Sequence, residues 1–405
     1  MHLNILAFAV PFFILVMLLE YYIAARQGKK LFHFDEMIAN LNTGIAERLC
    51  DLFTTGLFYY FFQWIYNHWR LFTIGNNWLS FLLLFLFTDF VWYWYHRFGH
   101  EVNLLWSAHV VHHQSEDFNY TVSVRITVFQ AAFRSVFWAF LPLLGFHPQA
   151  ITVMLLIHGA YPFFTHTQVV GRMGFLEYFL VTPSHHRVHH SSNPEYLDKN
   201  YGDVLILWDK LFGTFAQEEA KPVYGLNKPL HSYSFLWQHF HFVLELMVAV
   251  KRCKGGAAAR LRLLLGKPAL IDPRIRSWLE YKLLRTNRDI HPAPALTRYI
   301  RSQTILTLCL LFLVLLFEYY LRGTPLFLLS VFILLSIINT GAMLEQKKWI
   351  FELDVARMGI CGLLLYCYFP GPWLLTLNCS LPFLLLFCYK SLSNLYYRRF
   401  FYYNS

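Results

Sequence analysis

Eight histidines are packed into three short stretches of this 405-residue chain: His96 and His100 in HRFGH, His109, His112 and His113 in HVVHH, and His186, His189 and His190 in HRVHH. Imidazole suits borderline metals such as iron, zinc and copper. Helix residues four apart share a face. His96 and His100 therefore form a pair, and each H-x-x-H-H box an i, i+3, i+4 triplet on one face. One metal cannot use eight ligands, whereas two metals of up to about six-fold coordination can do so and keep open positions. A pair of open-sited metals suits oxygen activation. Taken singly, a histidine near a helix end is an ordinary hydrogen-bonded residue; three clustered groups point to metal.

Other residues nearby carry weaker versions of the same signal. His166, in FFTHTQ, is a ninth candidate ligand. His158 lies two helical turns earlier, about 12 Å along the axis. It is either a further ligand or a polar residue facing the bundle interior, and an ionisable group inside an apolar segment is a functional candidate by default. His185 is adjacent to His186 and points elsewhere, toward an outer-shell or interfacial role. Metal-bound imidazoles pass their other N–H to a carboxylate or carbonyl. Glu101 and Asp89 are the best such carboxylates, with Asp203 and Asp209 also close to the boxes. Glu116 and Asp117 read as a solvated loop.

The elements that position these residues belong to a membrane protein. Hydrophobic residues make up 57%, charged residues 14%, and mean hydropathy is +0.39; a soluble chain carries about 25% charged residues. An aromatic content of 19% suits interfacial belts. The seven cysteines form no C-x-x-C pair, which argues against a disulfide framework and a thiolate metal site. Segments long enough to span a bilayer are predicted near 5–23, 46–65, 77–96, 126–145, 149–167, 303–321, 325–343, 355–375 and 380–397. The first is too long for a signal-peptide core and reads as a retained transmembrane helix. The expected architecture is an all-α bundle of about nine spans. It divides into N-terminal helices (1–75), a catalytic core (76–250), a basic connector (251–302) and C-terminal helices (303–405).

Loop charges orient the spans. Arg26, Lys29 and Lys30 place 24–45 in the cytoplasm. Alternation then puts 97–125 and 168–302 inside, and the Gly145–Pro148 turn outside. Lys347, Lys348, Arg398 and Arg399 also fall inside. All three histidine groups reach the cytoplasmic face in a topology drawn from Lys and Arg alone. Residues 251–302 hold 13 Lys/Arg against three acids, a net +10 that equals the formal charge of the whole chain. This segment follows the amphipathic run 235–250 and precedes a span, a setting that favours anionic lipid headgroups over nucleic acid.

The boxes 96–100, 109–113 and 186–190 stand in the order found in the membrane fatty acid hydroxylase/sterol desaturase superfamily, followed by NYG (200–202) and WDKLFGTF (208–215). Over residues 80–216 the chain resembles that superfamily. Within it the chain is most similar to the alkylglycerol monooxygenase branch, through 96–125, TPSHHRVHHSSN and the N-terminal VPFFILVMLLEYY. The resemblance implies a ligand role for the eight box histidines, two irons (with zinc an alternative occupant), dioxygen and a tetrahydropterin electron donor. It also implies a lipid substrate, hydroxylated beside an ether oxygen, in an endoplasmic reticulum or bacterial inner membrane. One departure is the residue four before His166, which is Pro162 where many relatives carry another histidine. No H-P-G-G haem signature is present, so electrons come from outside the chain. Rival readings are a fatty-acyl, ornithine-lipid or sterol hydroxylase or desaturase on the same scaffold, a histidine-rich metal transporter, and a metal-clamped structural scaffold. A transporter would place its ligands at the mid-plane on broken helices.

Overall fold

The computed structural model of the protein describes residues 2–284 and 290–403. Arg285, Arg288 and Asp289 of the basic connector lie outside the described residues. The helices are α1 (Ala9–Arg26), α2 (Phe34–Trp69), α3 (Trp78–Glu101), α4 (Asn103–His109), α5 (Tyr120–Ser123), α6 (Gln130–Trp138), α7 (Phe140–Leu144), α8 (Pro148–Thr165), α9 (Pro183–His189), α10 (Leu207–Phe212), α11 (Phe235–Arg252), α12 (Ala257–Leu265), α13 (Arg274–Leu283), α14 (Pro294–Leu316), α15 (Gly323–Leu344), α16 (Ile350–Tyr368) and α17 (Pro372–Phe400). The fold is helical as expected, with one departure: a short antiparallel ribbon pairs β1 (Ile290–Pro292) with β2 (Phe401–Tyr403).

Among the described residues, four helical segments are long and apolar enough to cross a membrane: Ile5–Arg26, Trp78–Glu101, Pro294–Leu316 and Gly323–Leu344. Other expected spans take different forms, for local reasons. The predicted span 126–145 is two short helices, α6 and α7. Pro142 lacks an N–H and its ring crowds the carbonyl four residues back, which breaks the helix near Trp138. The segment 355–375 is interrupted between α16 and α17 by Pro370, Gly371 and Pro372. The segment 46–65 lies inside the 36-residue α2, where Glu47, Arg48 and Asp51 form an ion-pair cluster.

The chain divides into two compact units. The larger comprises Val16–His231 and Gln238–Leu279. Its core joins α2, α3, α6, α7 and α8 through Phe62, Leu84, Tyr95, Trp138, Leu141 and Ile151. α3 is started by a reciprocal cap, Ser80 N–H to Asn77 Oδ1 and Asn77 N–H to Ser80 Oγ, both 2.9 Å. Gly145 closes α7 at φ 108°, and a Cβ there would meet Phe72 O at 2.0 Å, so only glycine makes this turn. The second unit gathers Met1–Leu15, Ser232–Trp237 and Glu280–Ser405. There the Asp354 carboxylate accepts from Tyr299 (3.0 Å), Asn339 (2.8 Å), Arg357 (2.5 Å) and Tyr396 (2.5 Å), tying α14, α15, α16 and α17 together.

Candidate metal centre

Five segments of the larger unit deliver nine imidazoles to one region. α3 carries His96 and His100 on one face, as the spacing predicts. His109 is the last residue of α4, and a 3-10 turn follows with His112 and His113. α8 ends at Thr165 and presents His166 just beyond it. α9 carries His186 and His189, with His190 at its C-cap. The nitrogens sort into two groups, each with its ligand atoms within 4.8 Å of one another: His96, His100, His109, His113 and His189, and His112, His166, His186 and His190. This corrects the expectation that each triplet presents a single face. The helices end inside the boxes, so each box turns histidines both ways: His109 and His113 against His112, and His189 against His186 and His190.

The imidazole tautomers follow from their partners. A carbonyl can only accept, so each ring nitrogen that touches one must carry the proton. His96 Nδ1 donates to Tyr201 O (2.9 Å), His112 Nδ1 to Arg125 O (3.2 Å), His166 Nδ1 to Pro162 O (2.6 Å) and His189 Nδ1 to Lys199 O (3.0 Å). Their Nε2 atoms are then bare lone pairs facing inward. His112 Nε2 and His166 Nε2 lie 3.1 Å apart with no proton between them. Contacts of 3.0–3.1 Å also join His186 to His166, His96 to His109 and His113 to His109. The Nε2 atoms of His100, His189 and His190 are buried with no hydrogen-bond partner. Burial, reinforced by the neighbouring rings, drives His109, His112, His113, His186, His189 and His190 well below the usual imidazole range. Neutral, convergent lone pairs repel one another unless a cation lies between them, and this donor set fits nitrogen-preferring transition metals.

The loop after Asp198 fixes the first group. Asn200 adopts the left-handed region (φ 55°), which asparagine tolerates. Its amide donates to His185 O (3.1 Å) and Ala216 O (2.8 Å). Asp209 accepts the N–H groups of Tyr201 and Gly202, each at 2.7 Å, and the Thr214 hydroxyl at 2.6 Å. A Cβ on Gly202 would meet Leu205 O at 2.7 Å and Asp209 Oδ2 at 2.9 Å. The NYG stretch thus holds the two carbonyls, Lys199 O and Tyr201 O, that aim His189 and His96.

None of the suspected carboxylates bonds an imidazole of the two groups. Asp89 accepts from Val204 N (2.9 Å), Leu205 N (3.1 Å) and Trp208 Nε1 (2.8 Å), so it anchors the same loop. Glu101 pairs with Arg97 at 3.2 Å, not with a box histidine. His158 falls outside both groups: its Nδ1 contacts Asp203 at 2.6 Å, with Asp89 at 3.6 Å, in a separate fully buried cluster. His185 also stays outside, accepting Thr182 N–H (3.4 Å) and lying against Phe215. Asp117 is buried rather than solvated, bonded to His33 N–H (2.7 Å) and its ring Nδ1 (2.6 Å). Sequence reasoning missed Arg125, whose buried guanidinium spans Val111 O, Asn40 and Gln114 and so braces the 111–114 turn. It also missed Glu20, which takes Tyr120 N–H and the Thr167 hydroxyl beside His166. A buried charge in an apolar helix was the one visible signal for Glu20.

Comparison with known proteins places this site in a family. The fatty acid hydroxylase profile matches residues 81–214, which contain all nine histidines. The chain is 39% identical to human alkylglycerol monooxygenase over 242 residues, 59% of this chain and 54% of the human protein. The zebrafish (Danio rerio) alkylglycerol monooxygenase is 32% identical over 374 residues, 88% of this chain and 81% of that protein. An ornithine lipid hydroxylase, OlsE of Rhizobium tropici, is 34% identical over 131 residues, 31% of this chain and 39% of that one. The chain thus spans about half of the human relative and about four-fifths of the fish one. No solved structure is significantly similar. Motif order, site geometry and extended similarity agree that the chain belongs to the fatty acid hydroxylase family.

Proposed function

We propose that the protein is a membrane monooxygenase that hydroxylates a lipid C–H bond, with the two histidine groups as a di-metal centre. The observation that carries this reading is the His112 Nε2···His166 Nε2 approach at 3.1 Å, with both Nδ1 protons committed to carbonyls. Two irons, implied by the family resemblance, would supply dioxygen activation, for which the overall balance is R–H + O2 + 2 e− + 2 H+ → R–OH + H2O; zinc could occupy the same sites. His96, His100, His109, His113 and His189 would hold one metal, and His112, His166, His186 and His190 the other. The protein's own part is orientation: carbonyls fix the tautomers, Asp89 and Asp209 fix the loop bearing two of those carbonyls, and burial keeps the rings neutral.

The substrate that similarity favours is an alkylglycerol. Hydroxylation of the carbon beside the ether oxygen gives a hemiacetal, which separates into fatty aldehyde and glycerol. A nine-span topology, with basic loops in the cytoplasm, would put the reductant on the side of the histidines while the lipid enters from the bilayer. The electron donor would be a tetrahydropterin. Similarity to an ornithine lipid hydroxylase supports a second reading, hydroxylation of an acyl chain on the same scaffold. Iron-loaded protein given 1-O-alkylglycerol, oxygen and tetrahydropterin should release fatty aldehyde. If it releases none yet hydroxylates ornithine lipid, the ether-lipid assignment is wrong and the second reading holds.

A further inference from the structure

Just before the third box the chain leaves a broad apolar surface uncovered. Phe175, Tyr178 and Phe179 are 71%, 67% and 55% exposed, and Leu207 and Leu211 of α10 are 42% and 69% exposed. The two segments form one patch. Ile206 N–H donates to Phe179 O (3.0 Å) and Val181 N–H to Val204 O (2.8 Å), so 179–181 runs antiparallel beside 204–206. Leu207 and Leu211, four apart, share the outer face of α10. A contiguous apolar patch of this kind marks contact with a membrane or with another protein.

The inner face of α10 fixes the depth of the patch. Trp208 and Phe212 lie against Phe90 at 5.1 and 6.3 Å, and Phe212 against Trp94 at 5.1 Å. Phe90 and Trp94 continue the face of α3 on which Leu83 and Phe87 are exposed. That helix is one of those able to cross a bilayer, so α10 sits on the continuation of a lipid-facing stripe. Counted from Trp78, Phe90 and Trp94 lie about 18 and 24 Å along α3, within a hydrocarbon thickness of about 30 Å. Non-helical backbone at such a depth needs its polar groups satisfied by the protein. Phe179 N–H and Leu180 N–H donate to Leu176 O (3.1 and 2.8 Å), and Met173 N–H to Glu177 Oε1 (2.9 Å). The two charged side chains within the patch are tied down as well. Lys210 Nζ donates to Tyr178 O (2.8 Å), and Glu177 accepts the Thr182 hydroxyl (3.2 Å).

We infer that 175–179 and the outer face of α10 are immersed in the bilayer leaflet, as a re-entrant patch on which the alkyl chain of the lipid substrate docks. The substrate's part rests on the monooxygenase reading; the immersion does not. Thr182, the N-cap of α9, follows directly on the patch, so this lipid-facing surface adjoins the helix that carries His186 and His189. The assignment departs from the cytoplasmic placement that loop charges alone suggest for all of 168–302.

The test uses full-length, metal-loaded protein in phosphatidylcholine nanodiscs containing 1-O-alkylglycerol. The photoreactive residue p-benzoylphenylalanine replaces Phe175 or Leu211, with exposed Lys221 as the control position. After irradiation, mass spectrometry of the intact protein reads what has been attached. Lipid adducts are expected at 175 and 211 and not at 221. No lipid adduct at either patch position, or adducts to a second protein instead, overturns the immersion. In parallel, the KM for alkylglycerol is measured for the combined variant Phe175→Ser and Leu211→Ser, with metal content as the check on folding. The KM should rise severalfold while kcat and metal content hold, and Phe175→Leu with Leu211→Phe should restore it. An unchanged KM in the folded serine variant overturns the docking of substrate on the patch. Should the combined variant lose its metal, Leu211→Ser alone decides by the same criterion. Photolabelling needs no turnover, so lipid adducts with no product from the wild type defeat the monooxygenase reading and not the immersion.

Discussion

The two histidine groups draw on the same two H-x-x-H-H boxes but are supported differently. In the first, the Nδ1 protons of His96 and His189 go to carbonyls of one loop, at Tyr201 and Lys199, and that loop is pinned by Asn200, Asp89 and Asp209. In the second, His112 and His166 lean on separate elements, Arg125 O and Pro162 O, and Phe118 covers His166, His186 and His190. One group is tuned by a single loop, the other by an assembly of packed parts. A perturbation can therefore reach one centre while sparing the other's direct supports, although adjacent residues such as His189 and His190 keep the two coupled.

The largest expected effect removes a ligand. His189→Ala should abolish turnover and lower bound metal from two ions toward one, read by elemental analysis of the purified protein. His166→Ala should do the same from the other side, since it takes one of only four rings in its group. Full activity in either variant would refute the metal reading. Loss of both ions in each variant would mean that the two groups bind cooperatively and that the contrast between them has no consequence for metal loading.

A middle-sized effect isolates the loop. Asp209→Ala leaves the N–H groups of Tyr201 and Gly202 without their acceptor and lets two carbonyls drift. Metal affinity at the first group should fall by about tenfold to a hundredfold, the usual cost of an outer-shell loss. Release of metal to a chelator should become biphasic, with one ion leaving early. Gly202→Ala should act likewise, because its Cβ would strike Leu205 O. A single release phase in both variants would show that the loop serves the two centres equally.

The sequence made the eight box histidines legible because ligand spacing is a local property, and the four strongest apolar helices because span length is one too. The division of each box between the two histidine groups was not legible. It depends on where α4 and α9 stop, and a helix end one residue earlier or later redirects a ring by about 100°. His166 was ambiguous for a similar reason, since Pro162 occupies the position of its expected partner and only the fold shows the Pro162 carbonyl in use. The carboxylates make other contacts than the expected ones to imidazole: Glu101 pairs with Arg97. Asp89 and Asp209 reach main chain some 115 and 8 residues away, and no spacing rule connects a side chain to a distant N–H. The predicted spans 126–145 and 355–375, broken at Pro142 and Pro370, misled through hydropathy, which counts apolar atoms and is blind to a missing N–H.

The smallest effect falls on the second group's outer support. His33, just before α2, holds Asp117 through its N–H and its ring, and Asp117 precedes the Phe118 that covers the second group. The hydrogen bond that the His33 ring donates to Asp117, aided by the carboxylate's charge, raises the His33 pKa above the usual imidazole value. A raised pKa means the folded state binds the proton more tightly than the unfolded chain. The stabilisation is thus complete below about pH 6.5 and is lost as pH rises through the higher folded value. The ring is largely exposed, so His33→Ala should cost about 1 kcal/mol or less. Thermal unfolding of wild type and variant should differ more at pH 6 than at pH 8. An equal gap at both would mean that the ring acts through packing alone, and that the proton it carries does nothing to hold Phe118 over the second group.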